Sequence, residues 1–286
     1  MIADFKGDLE RHWREGLAGA GYDVPDGADA QRVSRMYLNV LHRQIAVRPR
    51  NVMRAKELIE QSVDVELALE RISEASKQGA DLNPFLSHRL SDAEFNDGLL
   101  SDWGIHHLHL SPTMKGRGDP FGGLLLFLHV SDELLHFIAI LDHRSFSKKQ
   151  LLDTVESNWP VILDAHRRKG VTANELTDQQ RANLRAKGGL SLPSVGGHVV
   201  APPGGGYTSS GLSVKVLLGT DRSFAEAKLL ETLCRNNSEG IAAGIEQHPQ
   251  GRKLSELRLR LRVDQDGLHI VELQTGIEVR GLQSAS

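Results

Sequence analysis

Two apolar runs separated by three polar residues set the tightest limit on how this chain folds. Leu124 to Val130 is apolar apart from His129, Ser131-Asp132-Glu133 interrupts, and Leu134 to Leu141 resumes the run. A continuous apolar run of this length reads as a strand buried on both faces. Two such strands joined by about three polar residues form a hairpin. Upstream, Ile105-His106-His107-Leu108-His109-Leu110 reads as another strand, followed by the polar turn Lys115-Gly116-Arg117-Gly118-Asp119. The segment from Trp103 to Lys149 is therefore predicted to be a small antiparallel sheet.

The flanking segments have other periods. Ile2, Phe5, Leu9, Trp13 and Leu17 recur at three- and four-residue steps, as do Val33, Met36, Tyr37, Val40, Leu41 and Ile45. Both patterns stack apolar side chains on one helical face. Asn51 is placed to cap a third helix carrying Met53, Leu58, Ile59, Val63, Leu67 and Ile72. Ser147 is placed to cap a helix from Lys148 to Leu163. Residues 164–195 are the most basic of the chain, with Thr177 capping a short helix. Val195 to Ala201 and Leu212 to Leu218 are strand-like, Ser223 to Glu246 is helical, and Leu257 to Val263 and Leu268 to Leu273 flank the turn Gln265-Asp266-Gly267. The expected class is α+β. It comprises a helical region (1–75), an antiparallel sheet domain with a flanking helix (76–165), a basic linker (166–195) and a C-terminal α+β domain (196–286).

Composition narrows the function. Hydrophobic residues make up 40% of the 286 positions and charged residues 25%, which suits a globular chain. Net charge is −3, so a nucleic-acid site has to be a local basic patch. Cys234 is the single cysteine, which excludes an intramolecular disulfide framework and fits a reducing compartment. The first residues lack a basic segment followed by an apolar run, and no apolar stretch is long enough for a bilayer. The expectation is a soluble, cytoplasmic protein without a membrane partner.

The candidate chemistry is histidine. Six of the thirteen histidines lie between His106 and His143. Strand alternation puts His107 and His109 on one face and His106 on the other. Three readings of this cluster compete. The histidines are half-buried sheet residues; or His107 and His109, with His143 or an acid, bind Zn²⁺; or they move protons in metal-free RNA cleavage. In the last, His107, His109 and His143 are the acid–base residues, and Arg117, Arg144, Lys148 and Lys149 hold phosphate. Elsewhere, the glycine-rich segment 204–211 lacks the Gly-Lys-Ser/Thr of a phosphate loop and reads as a turn.

The order of Gly104 to Leu110, the basic turn around Arg117, the strand Leu124–Val130, and Leu134–Leu141 leading into His143-Arg144-Ser145-Phe146-Ser147-Lys148-Lys149 resembles the sheet of RelE/HigB-type toxins. Phe146, Lys148 and Lys149 match the Phe-x-Lys-Lys ending of that superfamily. An arginine often opens its central strand, where this chain has Phe121, Gly122 and Gly123. The resemblance implies a metal-independent endoribonuclease of toxin or phage-defence type, without a cofactor, acting on RNA, with an antitoxin or other protein partner and a possible homodimer. His109-Leu110-Ser111 and His143-Arg144-Ser145 also resemble the paired His-x-Ser motifs of two-histidine phosphoesterases. Ser111 and Ser145 would then hold phosphate oxygens. A non-catalytic interaction module is the alternative of a different class.

Overall fold

The computed structural model describes residues 1–59, 61–112, 120–173, 175–264 and 267–280. The fold is α+β. In order the chain forms α1 (Phe5–Gly19), α2 (Ala30–Arg43), β1 (Asn51–Arg54), α3 (Val63–Lys77), α4 (Gly98–Trp103), β2 (Ile105–His109), β3 (Leu124–Val130), β4 (Leu134–Asp142), α5 (Gln150–Asn158), α6 (Val161–Asp164) and β5 (Arg167–Arg168). It continues with α7 (Asp178–Ala186), β6 (Ser194–Val195), β7 (His198–Val200), α8 (Val214–Asn236), α9 (Ser238–Gln247), β8 (Leu259–Asp264), β9 (Gly267–Glu272) and β10 (Glu278–Val279). Among the described residues no helix is long and apolar enough to cross a membrane.

Two compact units emerge, and they differ from the four consecutive segments expected. One is 39–216; the other joins 1–38 to 217–286. In the discontinuous unit, Asp4 caps α1 by accepting from the Gly7 N–H, and Phe5, Leu9, Trp13 and Leu17 are buried. Trp13 meets Phe224 edge to face at 5.3 Å. The buried Asp8 carboxylate accepts the Leu261 N–H of β8 at 2.9 Å, which ties the first helix to the antiparallel β8–β9–β10 sheet. The N-terminal helices are therefore not an independent 1–75 region.

The unit 39–216 is built on a four-stranded sheet of order β1-β4-β3-β2. Strands β2, β3 and β4 are antiparallel, with a bulge between Phe127 and Leu128. Leu125, Leu126, Phe127 and Leu128 are all buried, as a run covered on both faces requires. Strand β1 is a correction to the sequence reading: residues 51–54 are extended and parallel to β4, not the start of a helix. The physical cause is the buried Arg50, whose guanidinium donates to the carbonyls of Ser131 and Ala46 and lays the following residues beside the hairpin. The helix starts instead at Ser62, which caps α3. Helix formation after Ser147 is also interrupted, because Pro160 separates α5 from α6.

The basic stretch 166–195 is not a linker. β5 pairs with β7 in a small sheet with β6, and α7 carries a full capping box at Thr177 and Gln180. Residues 214–218 open a helix, not a strand. Burial at Val216, Thr220, Ala227 and Cys234 falls at steps that only a helix can place on one face. The glycine-rich segment, expected as a turn, packs against α4: Gly204 and Gly206 donate to the carbonyls of Asp102 and Ser101. A Cβ on Gly204 would lie 2.1 Å from the Leu100 carbonyl oxygen.

Two outcomes follow from this packing. Gly204→Ala should lower unfolding stability by about 1–3 kcal/mol in chemical denaturation, since the obstructing atoms are backbone. Gly240→Ala, with nothing within 4 Å of its Cβ, should be neutral or stabilising by up to about 1 kcal/mol. Burial pushes His42 and His129 down to about 4 and His106 down to about 3, from 6.5. The unfolded chain then binds more protons than the native one between those values. Stability should be fully present above pH 6.5 and fall as the pH drops toward the folded values. Urea midpoints at about pH 7 and about pH 5 check the sign.

Candidate functional site

Sheet register brings three segments of the chain to one end of the β2–β3–β4 ladder. Leu125 of β3 faces His109 at the end of β2, and Leu124 faces Asp142 at the end of β4. The residue before β3 is Gly123, and the residue after β4 is His143. Asp142 holds the turn there, its Oδ1 accepting from the Arg144 N–H at 3.0 Å and the Ser145 hydroxyl at 2.9 Å. The Nδ1–H of His143 donates to the Gly123 carbonyl at 3.0 Å. The His109 and His143 rings come to 5.5 Å between centroids.

Both rings line a cleft of about 550 Å³, together with His107. Alternation along β2 puts His107 on the His109 side. Its ring packs edge to face on Phe146 at 4.9 Å, and Phe146 in turn meets Phe127 at 5.6 Å. Burial lowers the His107 pKa, His109 and His143 add to that, and Asp97 opposes it. Asp97 Oδ1 accepts the N–H groups of Leu99 and Leu100 as the cap of α4. Its Oδ2 lies 3.7 Å from His107 Nδ1. The cap thus orients a carboxylate toward a buried imidazole.

The other cleft wall comes from residues 87–99. Arg89 and Phe95 line it, with the Arg89 guanidinium 6.0 Å from the Phe95 ring. Arg89 is solvent-exposed. Arg185 also reaches the cleft from α7, but its charge is engaged. It donates to Asp102 Oδ2 at 2.7 Å and to Ser147 Oγ at 3.1 Å, and lies over the Trp103 ring at 4.8 Å. It donates to the Phe146 carbonyl as well.

Of the residues expected from sequence, His107, His109 and His143 are brought together. Arg144, Lys148 and Lys149, expected to hold phosphate, are not. Arg144 is 92% exposed and pairs with Asp142. Lys149 pairs with Asp153 at 2.6 Å. Arg144, Lys148 and Lys149 are absent from the cleft lining. Arg117 lies outside the described residues. The Ser145 hydroxyl is fully buried and donates to Asp142, so it does not serve as a phosphate-holding group. His106, His129 and His136 take no part in the cleft lining. His136 packs on Trp159 at 4.8 Å and on His129 at 5.6 Å. Among the described residues no group of three His, Cys, Asp or Glu side chains is arranged to hold a metal ion.

Sequence reasoning passed over Asp97, Arg89 and His88, all of which line the cleft. Asp97-Gly98-Leu99-Leu100 carries a helix-start signal, an Asx residue immediately before apolar helical residues. Arg89 has no local signature, since only the tertiary fold brings its 3₁₀ turn across from β2. No family model, curated protein or solved structure matches this chain.

Proposed function

We propose that the cleft is the active site of a metal-independent endoribonuclease, of the toxin or phage-defence type that the sequence resemblance implies. The observation that carries this reading is the His109–His143 pair, 5.5 Å apart in one cleft. Transesterification of an RNA phosphodiester needs one group to take the 2′-hydroxyl proton and another to return a proton to the departing 5′ oxygen. Imidazole is the side chain suited to both tasks near neutral pH. Arg89 contributes positive charge for the phosphate from the opposite wall. The volume suits one unstacked nucleotide, and Phe95 supplies an aromatic surface beside it. A single-stranded RNA is therefore the favoured substrate over a duplex.

The purified protein should cleave single-stranded RNA in the presence of EDTA, leave 2′,3′-cyclic phosphate ends and spare DNA. His109→Ala and His143→Ala should each cost about 10²–10⁴-fold in rate. Denaturing gels and end analysis decide it. Unchanged cleavage in the double variant counts against the reading, and cleavage that EDTA stops replaces it with a metal-dependent one. Growth of cells expressing wild type and double variant tests toxicity separately.

Asp97→Asn keeps a good N-cap but removes the charge that raises the His107 pKa. The His107 titration should move further down in proton NMR. The melting temperature should change little.

A further inference from the structure

The His143–Gly123 contact carries information that the pairing of two histidines does not. A carbonyl oxygen only accepts, so the nitrogen facing Gly123 must carry the proton. In the neutral ring the lone pair is then on Nε2. Gly123 sits at φ +83, a conformation that disfavours any side chain, and a Cβ there would lie 3.3 Å from His143 Nδ1. Gly122 is also left-handed, at φ +62, but a Cβ there would have nothing within 4 Å. Two adjacent glycines thus share a backbone requirement, and one of them touches the imidazole.

We propose that Gly123 is a positioning residue whose carbonyl fixes the tautomer of His143 and leaves Nε2 as its proton-accepting nitrogen, so that His143 can serve as the general base with His109 as the general acid of the cleft. This rests on the nuclease reading above. In the step, His143 Nε2 takes the 2′-hydroxyl proton as the 2′ oxygen bonds to phosphorus. The bond from phosphorus to the 5′ oxygen breaks, and protonated His109 gives its proton to that oxygen. One imidazole gains a proton and the other loses one, so no further reactant is needed.

Nitrogen-15 NMR of the imidazoles reads the tautomer without reference to activity. Wild-type protein above the His143 titration should show the Nδ1–H form, Gly123→Ala a mixture of the two, and Gly122→Ala the wild-type form. With RNA, Gly123→Ala should lower kcat about tenfold with KM within about twofold, and Gly122→Ala should stay within about twofold of wild type. Melting curves on both variants separate loss of fold from loss of tautomer. A predominant Nε2–H form in wild type overturns the assignment of the base even if RNA is cleaved. Equal kcat losses in the two glycine variants overturn the positioning role, because strain alone then accounts for both. Absence of cleavage by wild type with the Nδ1–H form intact removes the role of base together with the nuclease reading.

Discussion

The cleft depends on the ion pair between Arg185 and Asp102. The Asp102 side chain is 2% exposed and that of Arg185 is 12% exposed. Burial pushes the Asp102 carboxyl up, and the Arg185 guanidinium pulls it back. A planar guanidinium with several donors can satisfy partners in different directions at once. Arg185 uses this to join α7 to α4 through Asp102, and to the turn after β4 through the Phe146 carbonyl and Ser147. Arg181, also buried, holds the Ser147 carbonyl from the same helix at 3.1 Å. The turn that carries His143 is thus anchored by two arginines that never need to meet a substrate. A buried pair of this kind costs several kcal/mol when only one partner is removed, roughly 3–5.

That anchoring explains why charge and chemistry separate in this fold. Arg144 and Lys149, close to His143 in sequence, are neutralised by Asp142 and Asp153 within their own turn and helix. Arg181 and Arg185 are distant in sequence and structural in role. Among the described residues, Arg89 is the exposed arginine of the cleft lining. The histidines separate in the same manner. Antiparallel pairing delivers His109 and His143 to one end of the sheet, and the pleat adds His107 to their side. His129 faces His136 in the ladder, and His136 packs against Trp159. Half of the histidines of this segment therefore pack within the sheet, and the other half line the cleft.

Much of the architecture was legible from pattern. β3 spans Leu124–Val130 as its apolar run predicts, and the three-residue break before Leu134 is the hairpin turn. Thr177 caps α7, and the period of α1 matches its buried face. The failures have identifiable causes. Residues 51–54 lack a helical or strand signal strong enough to stand alone, and a buried arginine 81 residues from its carbonyl partner settles their conformation. Residues 214–218 alternate like a strand, yet the burial of positions beyond them, at Thr220 and Ala227, selects the helix. The basic segment 166–195 reads as solvated because sequence pattern does not reveal that two of its arginines have carboxylates and carbonyls waiting for them in the core.

The sequence by itself determined the α+β class, the hairpin at the centre of the sheet and the three imidazoles that the sheet segment brings to the cleft. Those properties follow from local period and alternation, which act over a few residues. Only the tertiary structure decided that the cluster from Trp103 to Lys149 holds three cleft histidines and three packing ones. It also decided that Arg89 lines the cleft, that Asp97 faces His107, and that Gly123 presents its carbonyl to His143. These relations join positions up to tens of residues apart through sheet register and buried ion pairs, and no local pattern encodes such distances.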